Sequence, residues 1–327
     1  MPVIEAKQLR KSYTKHKGSG TVEVIHGIDL SVSAGESVGY VGMNGAGKST
    51  TIKMLTGLIP PTSGTLSVLG MDPFRHRKKY VQNIGVVFGQ RNQLLWDLPV
   101  NETFKFHKQI YHLTEKNYNE RMAVFSELLD LGDLLDSRAL TLSLGQRMKC
   151  NLALALLHDP KILFLDEATI GLDLIVKQDI QKMLLQQVEE MGTTLLFTSH
   201  DMKDIAKVCQ RIIVLDKGTI MEDMSLRSFV EKYGGSKTVV LEVAGQDDLQ
   251  QLIMLCGEYW EGKIDSFRAD EKAGQLHISF RDSFLSVPQI METIYAKHIS
   301  VTQLRLEEAQ LEDAITKIYN QSKEVVL

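Results

Sequence analysis

From Val22 to Phe88 the chain carries short apolar runs broken by glycine: VEVIHGIDLSV, ESVGYVG, GTLSVLG and IGVVF. Runs of this length bounded by turn residues predict strands. The second run passes straight into GMNGAGKST (Gly42 to Thr50), and TTIKMLTGL behind it has helical spacing, so a glycine loop joins a strand to a helix. Between Arg91 and Thr141 the period changes. Asn101 can cap a helix carrying Phe104 and Ile110, and Tyr118, Met122, Phe125 and Leu129 line one face of another. Strands and helices alternate again from Ile162: ILFLD, a helix marked by Val176, Ile180, Met183, Leu184 and Val188, then TLLFTSH and RIIVLDKG. That order predicts an α/β unit with a mostly parallel sheet.

YGGS at Tyr233 interrupts the pattern, and a domain boundary is placed there: 1–232 with a helical part over about 91–157, and 233–327. The second part reads strand (Thr238 to Val243), helix (Asp247 to Glu258), strand (Lys263 to Arg268), strand (Gln275 to Phe280), helix (Pro288 to Lys297), strand (Ser300 to Leu306). This βαββαβ order predicts a ferredoxin-like α+β domain. A last amphipathic helix carries Leu311, Ile315 and Ile318.

The glycine loop is where the chemistry begins. Gly42, Gly45 and Gly47 let successive N–H groups turn toward phosphate oxygens, Lys48 reaches the β and γ phosphates, and Ser49 offers a magnesium ligand. Asp166 ends the strand ILFLD, where it can hold magnesium through water. Glu167 follows and can orient or deprotonate an attacking water, a role worth on the order of 10²–10⁴ in rate. His200 closes TLLFTSH at the same sheet edge; a lone histidine is often structural, but this position brings it near the γ-phosphate. Gln90 ends GVVFGQ in the same way and can bind magnesium or the water. Tyr13 can stack on adenine or pack in the core. A second anion cradle stands at TLSLGQ: Ser143, Gly145 and Gln146 open another helix. It has no ligand within one copy. If two copies pair head to tail, Ser143 and Gly145 of each face the γ-phosphate held by the other's Lys48. Asp173, in IGLD, is then placed to communicate across the seam, or simply caps a helix.

Together and in this order the motifs resemble the ATP-binding cassette (ABC) family over about residues 1 to 232. The resemblance implies a P-loop NTPase core with antiparallel β and helical subdomains. It implies a nucleotide loop of Gly42, Asn44, Gly45, Ala46, Gly47, Lys48, Ser49 and Thr50, and Gln90 as the Q-loop. Leu142 to Gln146 would be the signature, Asp166 and Glu167 the Walker B pair, Gly171 to Asp173 the D-loop, and His200 the switch histidine. ATP and Mg²⁺ are the implied ligands. Leu144 and Ala168 depart from the usual glycine and proline. FGQRNQLLWDLP and the C-terminal domain are similar to ATPases that serve ABC-2 type exporters.

Composition narrows the partners. A net charge of -4 over 327 residues gives no global attraction to nucleic acid, and no local basic patch stands out as dominant. Cys150, Cys209 and Cys256 form no CxxC pair, and no apolar run is long enough to span a bilayer. The expectation is a cytoplasmic ATPase, paired with itself or a closely related subunit and held at the membrane by separate ABC-2 type permease subunits. The stretch Gln90 through Leu98, with Leu94, Leu95 and Trp96, either meets that permease or packs the helical part. The alternative is a soluble cassette that remodels nucleic acid or ribosomes; such proteins usually carry tandem cassettes or a long coiled coil, and this chain has neither.

Overall fold

The computed structural model describes residues 2–14, 20–89, 91–233, 237–281, 284–307, 315 and 318. The chain divides into two units, Met1–Ser228 and Phe229–Leu327. In the first, β1 (Pro2–Thr14), β2 (Thr21–Ser33) and, beyond β3 (Ser37–Gly42) and α1 (Lys48–Leu55), β4 (Ser63–Val68) form an antiparallel sheet ordered β2-β1-β4. Strand β1 is absent from the sequence expectation. Its alternation is broken by register shifts between Ala6 and Arg10 and by Gln8 at φ 48°, so no clean period of two survives.

A short helix α2 (Arg77–Tyr80) leads to β5 (Ile84–Phe88), and α3 (Val100–Ile110), α4 (Glu115–Leu129) and α5 (Leu144–Leu156) make the helical part. Tyr118, Met122, Phe125 and Leu129 are buried along α4 as their spacing predicts. Two details of α3 differ. Pro99, not Asn101, stands at its N-cap, where its fixed φ suits helix entry; Asn101 instead accepts a hydrogen bond from the Tyr118 hydroxyl. Ile110, in the last turn, is exposed. The chain then runs through β6 (Ile162–Asp166), α6 (Leu174–Glu189), β7 (Thr194–Thr198), α7 (Met202–Val208), β8 (Arg211–Asp216), β9 (Thr219–Ser225) and α8 (Leu226–Tyr233). The main sheet has the order β5-β6-β7-β3-β8-β9, parallel except for β9. Strands β6 and β7 are buried at every position, as continuous apolar runs in a parallel sheet covered on both faces should be. Register sets Phe88, Asp166 and Thr198 side by side at the carboxyl ends of β5, β6 and β7. In parallel α/β sheets, that edge is where ligands bind.

The second unit contains β10 (Lys237–Val243), α9 (Gln246–Glu258), β11 (Ile264–Asp270), β12 (Gln275–Phe280), α10 (Val287–Ala296) and β13 (Val301–Glu307). Its antiparallel sheet is ordered β11-β12-β10-β13, the split βαβ arrangement the strand and helix order predicts. Val239, Leu241, Leu252, Trp260, Ile278 and Ile290 fill its core. Gly234 to Ser236 and most of the expected last helix, Leu311 included, lie outside the described residues.

Candidate functional site

Buried β3 ends at Gly42, where a Cβ would lie 2.5 Å from the Leu215 carbonyl oxygen of β8, so only glycine lets the chain leave the sheet there. Gly45 and Gly47 take φ of 82° and 109°, the left-handed conformations that turn successive N–H groups toward one side. Lys48 opens α1, and its ammonium donates to the Gly42 carbonyl at 2.7 Å and the Met43 carbonyl at 3.3 Å. Burial pushes the Lys48 pKa down, and the carboxylates of Glu167 and Asp166 push it back up. An open cleft beside the loop is lined by Val24, Asn44, Gly45, Gly47, Lys48, Ser49, Thr50 and Glu167. Ala46 packs into the core instead.

Across the cleft, the register between β6 and β7 builds the acidic side. Thr198 Oγ1 donates to Asp166 Oδ1 at 2.8 Å and accepts the Glu167 N–H at 3.0 Å, and the Thr198 carbonyl takes the same N–H at 3.1 Å. Ser49 Oγ donates to Asp166 Oδ1 at 3.3 Å, joining the glycine loop to the strand end. Glu167 sits at φ 58°, an uncommon conformation for a residue with a side chain, and His200 Nε2 donates to its Oε1 at 2.7 Å. Five predicted residues from three elements thus meet: Lys48, Ser49, Asp166, Glu167 and His200.

The donor set near Ser49 and Asp166 is all oxygen, which suits a hard cation. Among the described residues no cluster of three His, Cys, Asp or Glu could hold a metal alone. The Ser49 hydroxyl and the Asp166 carboxylate, side by side, fit magnesium, which dehydrates reluctantly and usually takes one or two protein oxygens with substrate phosphates completing its shell.

Other predicted residues lie elsewhere. Gln90 is outside the described residues; its neighbour Gly89 donates to the Asp166 carbonyl at 2.8 Å, and a Cβ on Gly89 would lie 2.2 Å from the Glu167 carbonyl oxygen. Ser143 caps α5: its hydroxyl accepts the Gln146 N–H at 3.2 Å while Gln146 Oε1 accepts the Ser143 N–H at 2.9 Å, a capping box. Neither they nor Gly145 line the cleft. Asp173 caps α6, accepting the Val176 N–H at 2.9 Å. Tyr13 is half-exposed on β1 with the Lys11 ammonium 5.1 Å from its ring centre, and it does not line the cleft. Leu94 is buried, so it packs inside, whereas Leu95 and Trp96 are exposed.

Sequence reasoning missed Thr198, the last residue of β7, two positions before His200. It also missed a polar brace behind His200. Lys177 of α6 donates to Asp201 at 2.6 Å and lies 3.6 Å from buried Asp204, which also accepts from Gln181 at 2.7 Å and Ser199 at 3.4 Å. The bond to Asp201 raises the Lys177 pKa. A second cleft is lined in part by Phe88, Gln93, His107, Tyr111 and His158. His158 stacks on Tyr111 with ring centres 3.8 Å apart and donates from Nε2 to the Ile84 carbonyl at 2.9 Å.

The family profile described as ABC transporter matches residues 25–170. The linearmycin resistance ATP-binding protein LnrL of Bacillus subtilis is 29% identical over 95% of this chain and 96% of its own length. NatA of the same organism, an ABC transporter ATP-binding protein, is 32% identical over 64% of this chain and 85% of its own. The methionine import ATP-binding protein MetN of Geobacillus kaustophilus is 35% identical over 67% of this chain and 65% of its own. Among solved structures, the ATP-binding cassette MJ0796, a dimer in a post-hydrolysis state bound to ADP and Pi, superposes with a TM-score of 0.61 at 25% identity. That match covers 68% of this chain and 99% of the cassette.

Proposed function

The chain belongs to the ATP-binding subunits of the ABC transporter family, and from that premise we propose that two copies close head to tail on ATP to drive a separate ABC-2 type export permease. The observation that carries the shared site is the composition of the cleft: loop residues and Glu167 line it, while Ser143, Gly145 and Gln146 do not. The helix start they form, with Ser143 exposed at its cap and Gly145 buried behind it, is a phosphate-binding end supplied to the other copy. MJ0796 was solved as a dimer, which supports pairing of this kind.

In each composite site the loop N–H groups and Lys48 bind the β and γ phosphates, and Ser143 and Gly145 of the partner copy close over the γ-phosphate. Glu167 takes a proton from the attacking water, with His200 holding its carboxylate in place through the 2.7 Å bond. Ser49, Asp166 and Gln90 would hold magnesium, which when bound neutralises phosphate charge. Tyr13 stacks on the adenine. Asp173 reports across the seam from the cap of α6.

Export rather than import is favoured by length. The alignment with LnrL spans nearly the whole chain and so takes in the second unit, whereas that with MetN spans about the cassette alone. No helix among the described residues is long and apolar enough to cross a membrane; on this reading other polypeptides supply the channel, and exposed Leu95 and Trp96 contact them. Glu167→Gln tests the shared site. It should elute as a dimer with ATP, and adding Ser143→Arg should return it to a monomer; monomers alone in ATP would overturn the arrangement. Membrane association lost on deleting a co-encoded permease would support the transport role.

A further inference from the structure

Residues 74–80 read FRHRKKY, placing Arg75, His76, Arg77, Lys78 and Lys79 in succession within a chain of net charge -4. All five are exposed, and the Arg75 side chain is 83% accessible. The whole-chain average hid this patch from the composition argument. It is also held in place. Asp72 Oδ1 accepts the Phe74 N–H at 2.8 Å and the Arg75 N–H at 3.0 Å, and at the other end buried Tyr80 donates its hydroxyl to the Leu55 carbonyl at 2.5 Å. The cations therefore project from a fixed turn.

Most of that charge is uncommitted. Arg77 donates to the Gly57 carbonyl, Arg75 reaches Asp72 only at 3.5 Å, and among the described residues Lys78 and Lys79 pair with no carboxylate. Phe74 lies half-exposed beside them. Cations flanking an exposed aromatic ring make a surface that fits the headgroup region of an anionic membrane. The turn also borders a particular place: Arg77 and Val81 line the same cleft as Phe88 and Gln93. Gln93 lies in the stretch that meets the permease on the reading above, so on that reading, which this inference rests on, the basic turn faces the membrane.

We propose that Arg75, Lys78 and Lys79, with Phe74, dock on anionic phospholipid headgroups of the membrane that holds the permease. Each such cation near an anionic leaflet adds a favourable increment, and three together predict partition on the order of a hundredfold stronger on anionic than on neutral vesicles, lost as salt shortens the screening length. The cassette would then be oriented at the bilayer by its own surface as well as by the permease.

The test uses the purified full chain and sedimenting vesicles, either phosphatidylcholine alone or mixed equally with phosphatidylglycerol. Binding to the mixed vesicles at low salt, its loss at high salt, and its loss in Arg75→Glu/Lys78→Glu/Lys79→Glu with wild-type ATP turnover would support the proposal. A milder Arg75→Gln/Lys78→Gln/Lys79→Gln variant serves if charge reversal prevents folding. Equal binding to both vesicle types, no binding, or undiminished binding by the variants would overturn it. So would a variant defect seen only when permease is present in the vesicles, since the patch would then read an acidic protein segment. Failure of the chain to hydrolyse ATP at all would instead count against the function proposed above.

Discussion

Thr198→Val removes one hydroxyl from the centre of the site and keeps the branched shape that β7 requires. The hydroxyl has two jobs: donating to Asp166 at 2.8 Å and accepting the Glu167 N–H at 3.0 Å. The second loss is cushioned because the Thr198 carbonyl still takes that N–H at 3.1 Å. The first is not, since Asp166 is 8% exposed and is left with the longer Ser49 bond at 3.3 Å. A hydrogen bond to a charged group contributes about 1.5–3 kcal/mol, so the cost should be about 2 kcal/mol. In a unit of this size that lowers the unfolding midpoint by roughly 4–8 °C. Activity should fall as well. Glu167 is held at φ 58° beside this hydroxyl, and loosening groups that orient a catalytic or metal-binding residue typically costs about 10–100-fold. Phosphate release should therefore show kcat down by that factor with KM for ATP nearly unchanged, and Thr198→Ser should restore most of it. A folded Thr198→Val protein with wild-type kcat would refute the reasoning.

Two further outcomes follow from groups outside the cleft. Lys177→Met should unlock the brace behind His200, lowering kcat about tenfold while ATP binding is retained, and Lys177→Arg should recover it; a drop in ATP binding equal to that in kcat would argue for general damage instead. Burial pushes the His158 pKa down to about 4, from the ordinary histidine value of about 6.5. The unfolded chain therefore takes up its proton first, and the protein should lose stability as pH falls from 6.5 to 4, by roughly 3 kcal/mol in all. Denaturant unfolding of His158→Gln should show a shallower slope in that window; slopes matching the wild type would remove His158 from the acid response.

What the sequence made legible, and what it hid, divides along physical lines. Continuous apolar runs ending in Asp166 and His200 identify parallel strands, and the glycine loop between strand and helix identifies the phosphate site, because in both cases neighbours in sequence are neighbours in space. Thr198 was invisible for the opposite reason. Its work depends on the register between β6 and β7, strands separated by α6, and no local pattern encodes that pairing. The basic turn was legible as letters but masked by the acidic average. That it is fixed by Asp72 and Tyr80, rather than a mobile run of lysines, is a tertiary fact.

The signature stretch combines both kinds of information, and this bears on how its mutants should be read. A Cβ on Gly145 would lie 2.9 Å from a Val176 methyl of α6, so the close approach of α5 to α6 already requires glycine there before any ligand is considered. Leu144, one position earlier, turns outward and rests against the Gly171 turn, its Cδ2 3.3 Å from where a Cβ would stand. That explains why leucine is accommodated at a position where the family usually has glycine. Gly145→Ala would therefore push α5 from α6 within one copy, and lost turnover in that variant would not by itself report a phosphate contact. Ser143 is different: its side chain is exposed and its bonds inside the copy are those of the capping box. Ser143→Arg gives up the capping bond, about 1 kcal/mol, but adds bulk and charge on the outer side of the helix start, away from the contact of Gly145 with Val176, so Ser143, rather than the glycine, is the position that tests the proposed contact between copies.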